Sequence, residues 1–363
     1  TLNRVEDNGT PLGIITAGTS YNYALEVFGR TASYLKLGII NPLNIELIRD
    51  FASKHSRIVV IEELDAVIET FCKKNGICCE GKELTGYIGE FSQETLRKVL
   101  LGEEKEHTSF GEPLPVRPPI MCPGCPHRGT FFVLKKMGLS VCGDIGCYTL
   151  GSAPPLGAVD TTLCMGASVS MLHGFNTVRP DEHSRRVAVI GDSTFVHSGI
   201  TSLIDIVYNQ SISVVLILDN SITGMTGHQQ NPCTGLTIKN QPTKALSLEK
   251  VCSACGIDRI NVIDPNDIKG LEALLRQELD AGEPSVIIVR RPCALLKCVK
   301  KDTYDKVDTD KCRSCRSCMK IGCPAISISN RKAVIDSALC IGCRLCEELC
   351  PFDAIENIRR NAK

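Results

Sequence analysis

What the chain lacks narrows it before anything it contains. In 363 residues, 41 Lys+Arg are balanced by 41 Asp+Glu, leaving no formal net charge. Without a basic excess, nothing points to nucleic acid. No apolar run approaches the roughly 20 residues that a membrane-spanning helix needs. There is no signal-peptide pattern, and with 21 cysteines that absence predicts a reducing, cytoplasmic setting rather than a disulfide scaffold. No histidine occurs after His228, which bears on the choice of metal. The chain also opens on Thr1 without Met, in what reads as a linker; the expectation is a fragment, a processed product or one piece of a split protein.

What is abundant is cysteine at fixed spacing. Cys312, Cys315, Cys318 and Cys323 read CRSCRSCMKIGCP, and Cys340, Cys343, Cys346 and Cys350 read CIGCRLCEELCP. Each is C-x2-C-x2-C followed by a fourth Cys and Pro, the bacterial spacing for iron–sulfur ligation, in which the fourth Cys of one run ligates the other cluster. One [4Fe–4S] cluster is therefore assigned to Cys312, Cys315, Cys318 and Cys350, and the other to Cys340, Cys343, Cys346 and Cys323. Zinc is the rival, but paired zinc ligands want a longer spacer and often include His. Between the runs, AISISNRKAVID alternates apolar and polar residues around Asn-Arg-Lys and predicts a hairpin. From Lys300 onward 13 Lys+Arg face 9 Asp+Glu, an excess suited to anionic tetrathiolate clusters.

At this length, and with 43% hydrophobic residues, the chain has room for two or three cored domains. From Pro118 to Lys297 it alternates β-branched apolar runs with apolar-periodic segments. RRVAVIG, SVVLILD, RINVID and SVIIVRR predict a parallel sheet with crossover helices. The first run ends in Gly191-Asp192-Ser193 and the second in Asp219-Asn220-Ser221. Ligands of open α/β sheets bind beyond the carboxyl ends of strands. An Asp and an Asn there can offer hard oxygens to one magnesium ion, with diphosphate oxygens completing the octahedron. Gly191, Gly224 and Gly227 would let backbone N–H groups approach phosphate. Either dipeptide alone would read as an ordinary turn; the pair, at two strand ends, reads as a diphosphate site.

GDSTF followed by LDNSITGMTGHQ resembles the thiamine diphosphate signature, and specifically the indolepyruvate ferredoxin oxidoreductase α subunits of the 2-oxoacid:ferredoxin oxidoreductase family. The resemblance implies magnesium on the side chains of Asp192 and Asn220 and the carbonyl of Ile222. Gly191, Ser193, Thr226 and Gly227 would lie on the cofactor, with Met165 and Gly166, from DTTLCMGASVSMLHGF, lining its pocket. Ser193 and Asp219 depart from the general G-D-G and N-N pattern. CPGCPHRG, GDIGC and RRPCAL resemble the segments that hold a further cluster beside the thiamine in this family, implying Cys122, Cys125, Cys147 and Cys293, with Cys298 competing for the last place. His127 reads either as a supporting donor or as a solvent-facing or capping imidazole. The pair Cys252-x-x-Cys255 reads as buried small hydrophobes.

Residues 1–110 resemble the transketolase C-terminal-like domain of the same subunits. There Gly18 comes directly after a strand, and Glu62-Glu63 reads as a solvated charge pair rather than a catalytic acid. The expected architecture is α/β: this domain at 1–110, a charged, Pro-rich linker at 111–119, a doubly wound parallel-sheet domain for the diphosphate at 120–299, and a small α+β two-cluster ferredoxin domain at 300–363. The pyrimidine-binding domain that normally precedes these, with the Glu that activates thiamine, is expected on another segment or chain, beside a small β/γ-type partner subunit. The function implied is oxidative decarboxylation of an aryl 2-oxoacid such as indolepyruvate, with coenzyme A taking the acyl group and ferredoxin the electrons. Two alternatives stand beside it: another 2-oxoacid:ferredoxin oxidoreductase subunit, and a non-catalytic iron–sulfur electron-transfer subunit. A non-oxidative thiamine decarboxylase would have no use for so many cluster cysteines.

Overall fold

The computed structural model describes residues 2–106 and 110–360 and divides into two compact units, Thr1–Pro115 and Val116–Lys363. Part of the charged stretch after Gly102, residues 107–109, lies outside the described residues.

The first unit is a four-stranded sheet. Its strands are β1 (Arg4–Glu6), β2 (Leu12–Ala17), β3 (Ser33–Leu37) and β4 (Arg57–Ile61), in the order β1-β3-β2-β4. β2 runs parallel to β3 and β4, while β1 is antiparallel to β3. Side chains of a strand alternate between faces, and both faces here are apolar. Ile15, Leu35 and Val60 pack with α2 (Ile45–Ser53) and α3 (Val67–Lys74); Ile14, Tyr34 and Val59 pack on the other face with α1 (Ser20–Phe28) and, beyond the short α4 (Lys82–Thr85), α5 (Gln93–Leu101). Asn44 and Ser92 start α2 and α5 by accepting from the N–H groups of Leu47 and Thr95, caps worth about 1 kcal/mol each.

The second unit is built on five parallel strands: β5 (Ser140–Cys142), β6 (Arg186–Gly191), β7 (Val214–Asp219), β8 (Arg259–Ile263) and β9 (Ser285–Arg290), in the order β5-β6-β7-β9-β8. The four apolar runs of the sequence form β6 to β9. One face, through Val187, Leu216 and Ile287, meets α6 (His127–Met137) and α11 (Ile268–Leu279); the other, through Ile190, Val215 and Ile288, meets α7 (Ala167–Val178), α9 (Ile200–Tyr208) and α10 (Leu248–Ala254). Between β6 and α9 the chain makes the short α8 (Asp192–Thr194) and a π-helical turn, Phe195–Gly199.

In the tail, β10 (Thr303–Val307) pairs antiparallel with β13 (Ile355–Arg359), and β11 (Ile326–Ser329) with β12 (Lys332–Ile335). Asn330 and Arg331 join the hairpin at φ 47° and 65°, the positive pair that a tight two-residue turn requires. The short α12 (Leu345–Glu348) comes next. Ile321, Leu345 and Ile355 share one core with Phe131, Leu134 and Leu271. Residues 300–360 thus pack onto the α6–α11 face of the sheet, within the second unit.

Candidate cofactor site

The carboxyl ends of β6 and β7 are neighbours in register, Gly191 opposite Leu218, so Asp192 and Asn220 emerge side by side. Both are buried. Asp192 Oδ2 accepts from Asn231 Nδ2 at 3.0 Å. Burial raises its carboxyl to about 7, against the lowering effect of that bond. Asn220 Oδ1 accepts from the Ile222 N–H at 3.3 Å, and its amide nitrogen lies 3.4 Å from His127 Nε2. His127 is therefore a buried neighbour of the site and not a solvent-facing ring. Burial holds its pKa down at about 4, so the imidazole is neutral and can accept from Asn220.

The two departures from the thiamine signature are each explained by a contact. Ser193 Oγ accepts from Thr223 Oγ1 at 2.8 Å, tying the two strand ends together. Asp219 Oδ2 is bound by Arg290 Nε at 2.6 Å, and Arg290 also binds Glu249 at 2.7 Å. Gly191 admits no side chain: a Cβ there would come within 2.5 Å of the Tyr148 ring. Tyr148 in turn donates to the Ile145 carbonyl at 2.8 Å, and its hydroxyl oxygen lies 3.1 Å from Thr194 Oγ1, which can donate to it, beside the Asp192 turn.

Other expected cofactor contacts are placed less simply. α7 begins only at Ala167, so DTTLCMG is not part of the helix. Gly166 sits at its N-cap, where its N–H and that of Ser168 donate to the fully buried Asp144 carboxylate at 2.9 and 3.1 Å. Met165 is 45% exposed, and its carbonyl accepts from Ser198 Oγ. Thr226 Oγ1 bonds Gln229 at 2.6 Å and the Gly227 N–H bonds the Gly224 carbonyl, so the Gly-Met-Thr-Gly run is a closed turn. Asp144, Tyr148 and Asn231 are not marked by any sequence pattern. The first two lie in and beside the GDIGC motif, where the cysteine is the only residue with a recognisable spacing.

Beside this site, the thiols of Cys122, Cys125, Cys147 and Cys293 line one apolar cavity together with His127, Asn220 and Gly224. Cys293 N–H donates to the Asn220 carbonyl at 2.9 Å, which ties the cysteine after β9 to the strand end of β7. A Cβ on Gly224 would lie 3.5 Å from Cys147 Sγ, so the thiol and the glycine-rich turn are in contact. Cys298 is exposed and does not line the cavity. Burial pushes the Cys125 thiol up to about 12.

In the tail, Cys312, Cys315, Cys318 and Cys350 line a second cavity. Cys350 belongs to the other run, yet it stands close enough, after burial and Cys315, to help raise the Cys318 thiol. Burial pushes Cys343 up to about 11, with Asp305, Cys323 and Cys340 adding to it, so Cys323 lies with the second run. Cys346 and Cys340 point at the buried carboxylate of Asp305, at 3.5 and 3.9 Å. All 21 cysteines are free. Among the described residues no three His, Cys, Asp or Glu side chains form a group that could hold a single metal ion. Cys252, on α10, is buried in the core, with Cys255 packed against that core.

Glu62 is not the solvated charge expected of it. It is buried, and its two carboxylate oxygens accept from the Ile68 and Glu69 N–H groups at 2.8 and 2.9 Å, capping α3. The helix N-terminus offers unpaired N–H groups and a positive dipole end, and this carboxylate satisfies both. Glu63 accepts from the Phe91 N–H at 2.8 Å. Gly18 has a positive φ of 56° in the turn before α1. Among the described residues no helix is long and apolar enough to cross a membrane.

Residues 144–289 match the C-terminal TPP binding domain of thiamine pyrophosphate enzymes, and residues 333–356 match a 4Fe-4S binding domain. Indolepyruvate oxidoreductase subunit IorA of Archaeoglobus fulgidus is 35% identical over 388 residues, covering 99% of this chain and 62% of that one. This chain is similar to that oxidoreductase subunit along nearly all of its own length. The Pyrococcus abyssi subunit is 36% identical, covering 96% of this chain and 60% of its own length. The chain thus spans roughly three fifths of the relatives it matches. Among solved structures, a 2-oxoglutarate:ferredoxin oxidoreductase from Magnetococcus marinus aligns with 50% of this chain and 67% of its own at 15% identity and a TM-score of 0.43, a level at which neither fold nor chemistry transfers.

Proposed function

We propose that this chain is the diphosphate-holding and electron-carrying part of a thiamine diphosphate-dependent 2-oxoacid:ferredoxin oxidoreductase acting on indolepyruvate or a similar aryl 2-oxoacid. The observation that carries this reading is the junction at Asn220. One residue offers a side-chain oxygen beside Asp192, is bound through its carbonyl by Cys293, and lines the cavity of four thiols. A cofactor site and a cluster site that share a residue are what passing electrons between them calls for.

The donor set fits magnesium diphosphate. Asp192 is a buried carboxyl whose pKa is raised by burial, with Asp219 adding to it, and a divalent cation bound there would offset both. Asp192 and Asn220 would ligate the ion with the Ile222 carbonyl, and Gly191, Ser193, Thr226 and Gly227 would border the diphosphate. Met165 and Gly166 would border the rest of the cofactor. Neutral His127, by taking the Asn220 amide hydrogen, orients the amide oxygen toward the cation. Asn231 orients Asp192 in the same way. Cys122, Cys125, Cys147 and Cys293 would hold one [4Fe–4S] cluster, Cys312, Cys315, Cys318 and Cys350 a second, and Cys323, Cys340, Cys343 and Cys346 a third.

Thiamine diphosphate, when bound, supplies the electron sink that lets a 2-oxoacid lose carbon dioxide; the chain supplies binding, orientation and a route for electrons. The net reaction we assign consumes a 2-oxoacid anion and coenzyme A and yields carbon dioxide, acyl-CoA, one proton from the thiol and two electrons delivered singly to ferredoxin. The activating carboxylate belongs, on this reading, to a pyrimidine-binding segment or partner, because Glu62 and Glu63 are both occupied with backbone N–H groups. A small partner subunit completes the enzyme.

Iron, sulfide and thiamine analysis of anaerobically purified chain tests the proposal. Iron and sulfide in equal amounts, with magnesium-dependent thiamine diphosphate binding that Asp192→Ala abolishes, is the expected result. Bound zinc would overturn the cluster assignment. Iron–sulfur content without any thiamine binding would favour the electron-transfer subunit instead.

A further inference from the structure

We infer that Arg128 is a positioning residue between two iron–sulfur clusters, holding the Cys122–Cys125 loop against the Cys323 loop and placing a fixed positive charge between their thiolates. The inference rests on the reading of both cysteine sets as cluster ligands.

Arg128 lies on α6, 3% exposed. Its five N–H donors are all spent on main-chain carbonyls. Nε and Nη2 bond the Cys122 carbonyl, each at 3.3 Å, and Nη2 also bonds that of Met121. Nη1 bonds Ile321 at 2.9 Å and Gly322 at 2.6 Å. The first pair of carbonyls belongs to the CPGC loop and the second immediately precedes Cys323, 193 residues away in sequence. Among the described residues no carboxylate pairs with this guanidinium. Burial disfavours its charge, and the groups that restore it are Cys323, Cys125, Cys122 and Cys343.

Carbonyl dipoles satisfy the N–H groups but do not neutralise the charge. Arginine cannot shed its proton, and an unpaired buried charge is strongly unfavourable. The missing counter-charge is present once thiolates replace thiols on both sides, because a tetrathiolate cluster is anionic. The carbonyls that Arg128 binds belong to or adjoin two ligand loops, that of Cys122 and Cys125 and that of Cys323.

The backbone agrees. A Cβ on Gly124, within the CPGC loop, would stand 2.2 Å from Ile341 Cδ1 and 3.7 Å from Cys343 Cβ. The two ligand loops are therefore in van der Waals contact beside the guanidinium. A positive charge there favours the reduced, more negative state of both flanking clusters, since net charge and hydrogen bonding set cluster potentials.

The test is an EPR-monitored reductive titration of the anaerobically reconstituted chain, with iron counted in parallel, for the parent protein, Arg128→Gln and Arg128→Lys. Arg128→Gln should move the midpoint potentials of the two flanking clusters downward and leave the Cys312/Cys315/Cys318/Cys350 cluster where it was. Arg128→Lys, which keeps the charge and loses the fork, should shift them less. Loss of iron from the two flanking sites in the Gln variant, with retention in the Lys variant, supports the same conclusion. Unchanged potentials in a fully loaded Gln variant overturn it, as does identical behaviour of Gln and Lys. A parent chain without iron at these cysteines overturns the cluster reading itself, before any variant is compared.

Discussion

The two units present the same feature, parallel strands ending in acidic residues, and use it in opposite ways. At the end of β4, Glu62 gives both oxygens to the N–H groups that open α3. At the end of β6, Asp192 is just as buried but receives one side-chain hydrogen bond, from Asn231, and its carboxyl is raised to about 7. A carboxylate that is fully hydrogen-bonded inside the fold is scaffold. One that is buried with its pKa raised is, on the reading proposed above, a place for a cation, because burial of a charge without a partner costs free energy. The difference lies in how the chain leaves each strand. After β4 it turns through Glu63–Ala66 and brings a helix N-terminus back onto the carboxylate. After β6 it enters α8 directly, leaving Asp192 toward the neighbouring strand end.

Substitutions at the two strand ends test the contrast most severely. Asp192→Asn should weaken magnesium-dependent thiamine diphosphate binding by more than the roughly 10- to 100-fold that loss of a supporting partner costs, measured by calorimetry. Unchanged affinity would erase the distinction between the two ends. Within the tail, Cys350→Ser should remove the EPR signal and iron of the cluster otherwise held by Cys312, Cys315 and Cys318, and spare the other; loss of the Cys340-run cluster instead would mean that each run binds its own. Asn231→Ala, which removes the bond to Asp192, should cost about 10- to 100-fold in magnesium affinity with little effect on unfolding. Glu62→Gln should do the reverse: cofactor binding intact, stability lower by about 1–2 kcal/mol from the weakened cap, read in urea unfolding. An effect on cofactor affinity there would make Glu62 a catalytic candidate again.

How much was legible in the sequence depends on how far apart the partners are. The tail cysteines and the two strand ends could be read because each set is defined by short spacing or by one βα unit. The parallel sheet could be read because buried strands are continuous apolar runs. Asn231 acts on a residue 39 positions away and Arg128 on one 193 away, and no local pattern marks either contact. Asp144 was in plain view within GDIGC, but an Asp in a loop carries no sign that it will cap α7 across 22 residues. Glu62-Glu63 misled for the same reason. Two adjacent acids at a strand end look solvated until the returning helix is known. For His127, two residues beyond Cys125, the sequence left a supporting donor and a solvent-facing ring equally open, because its neighbour Asn220 is 93 positions away.

The smallest expected effect concerns the third acid at these strand ends, and it places Asp219 on the scaffold side. Arg290 binds Asp219 at 2.6 Å and links it to Glu249 at 2.7 Å. The Arg290 hydrogen bond is the main reason that the Glu249 carboxyl falls to about 2. Because the folded value lies below the ordinary carboxylate value, the bond stabilises the fold above about pH 4.5 and loses its contribution as pH falls toward 2. The Glu249 side chain is 36% exposed, so solvent screening holds the contribution to about 1 kcal/mol at most. Glu249→Gln should therefore lower stability by that amount at neutral pH, and the gap to the parent chain should close on acidification. Thiamine diphosphate affinity should stay unchanged in the same variant. A fall in affinity would mean that Asp219, through Arg290, helps hold Asn220 in place for the ion, and the division between scaffold and ligand would then run through a single strand end.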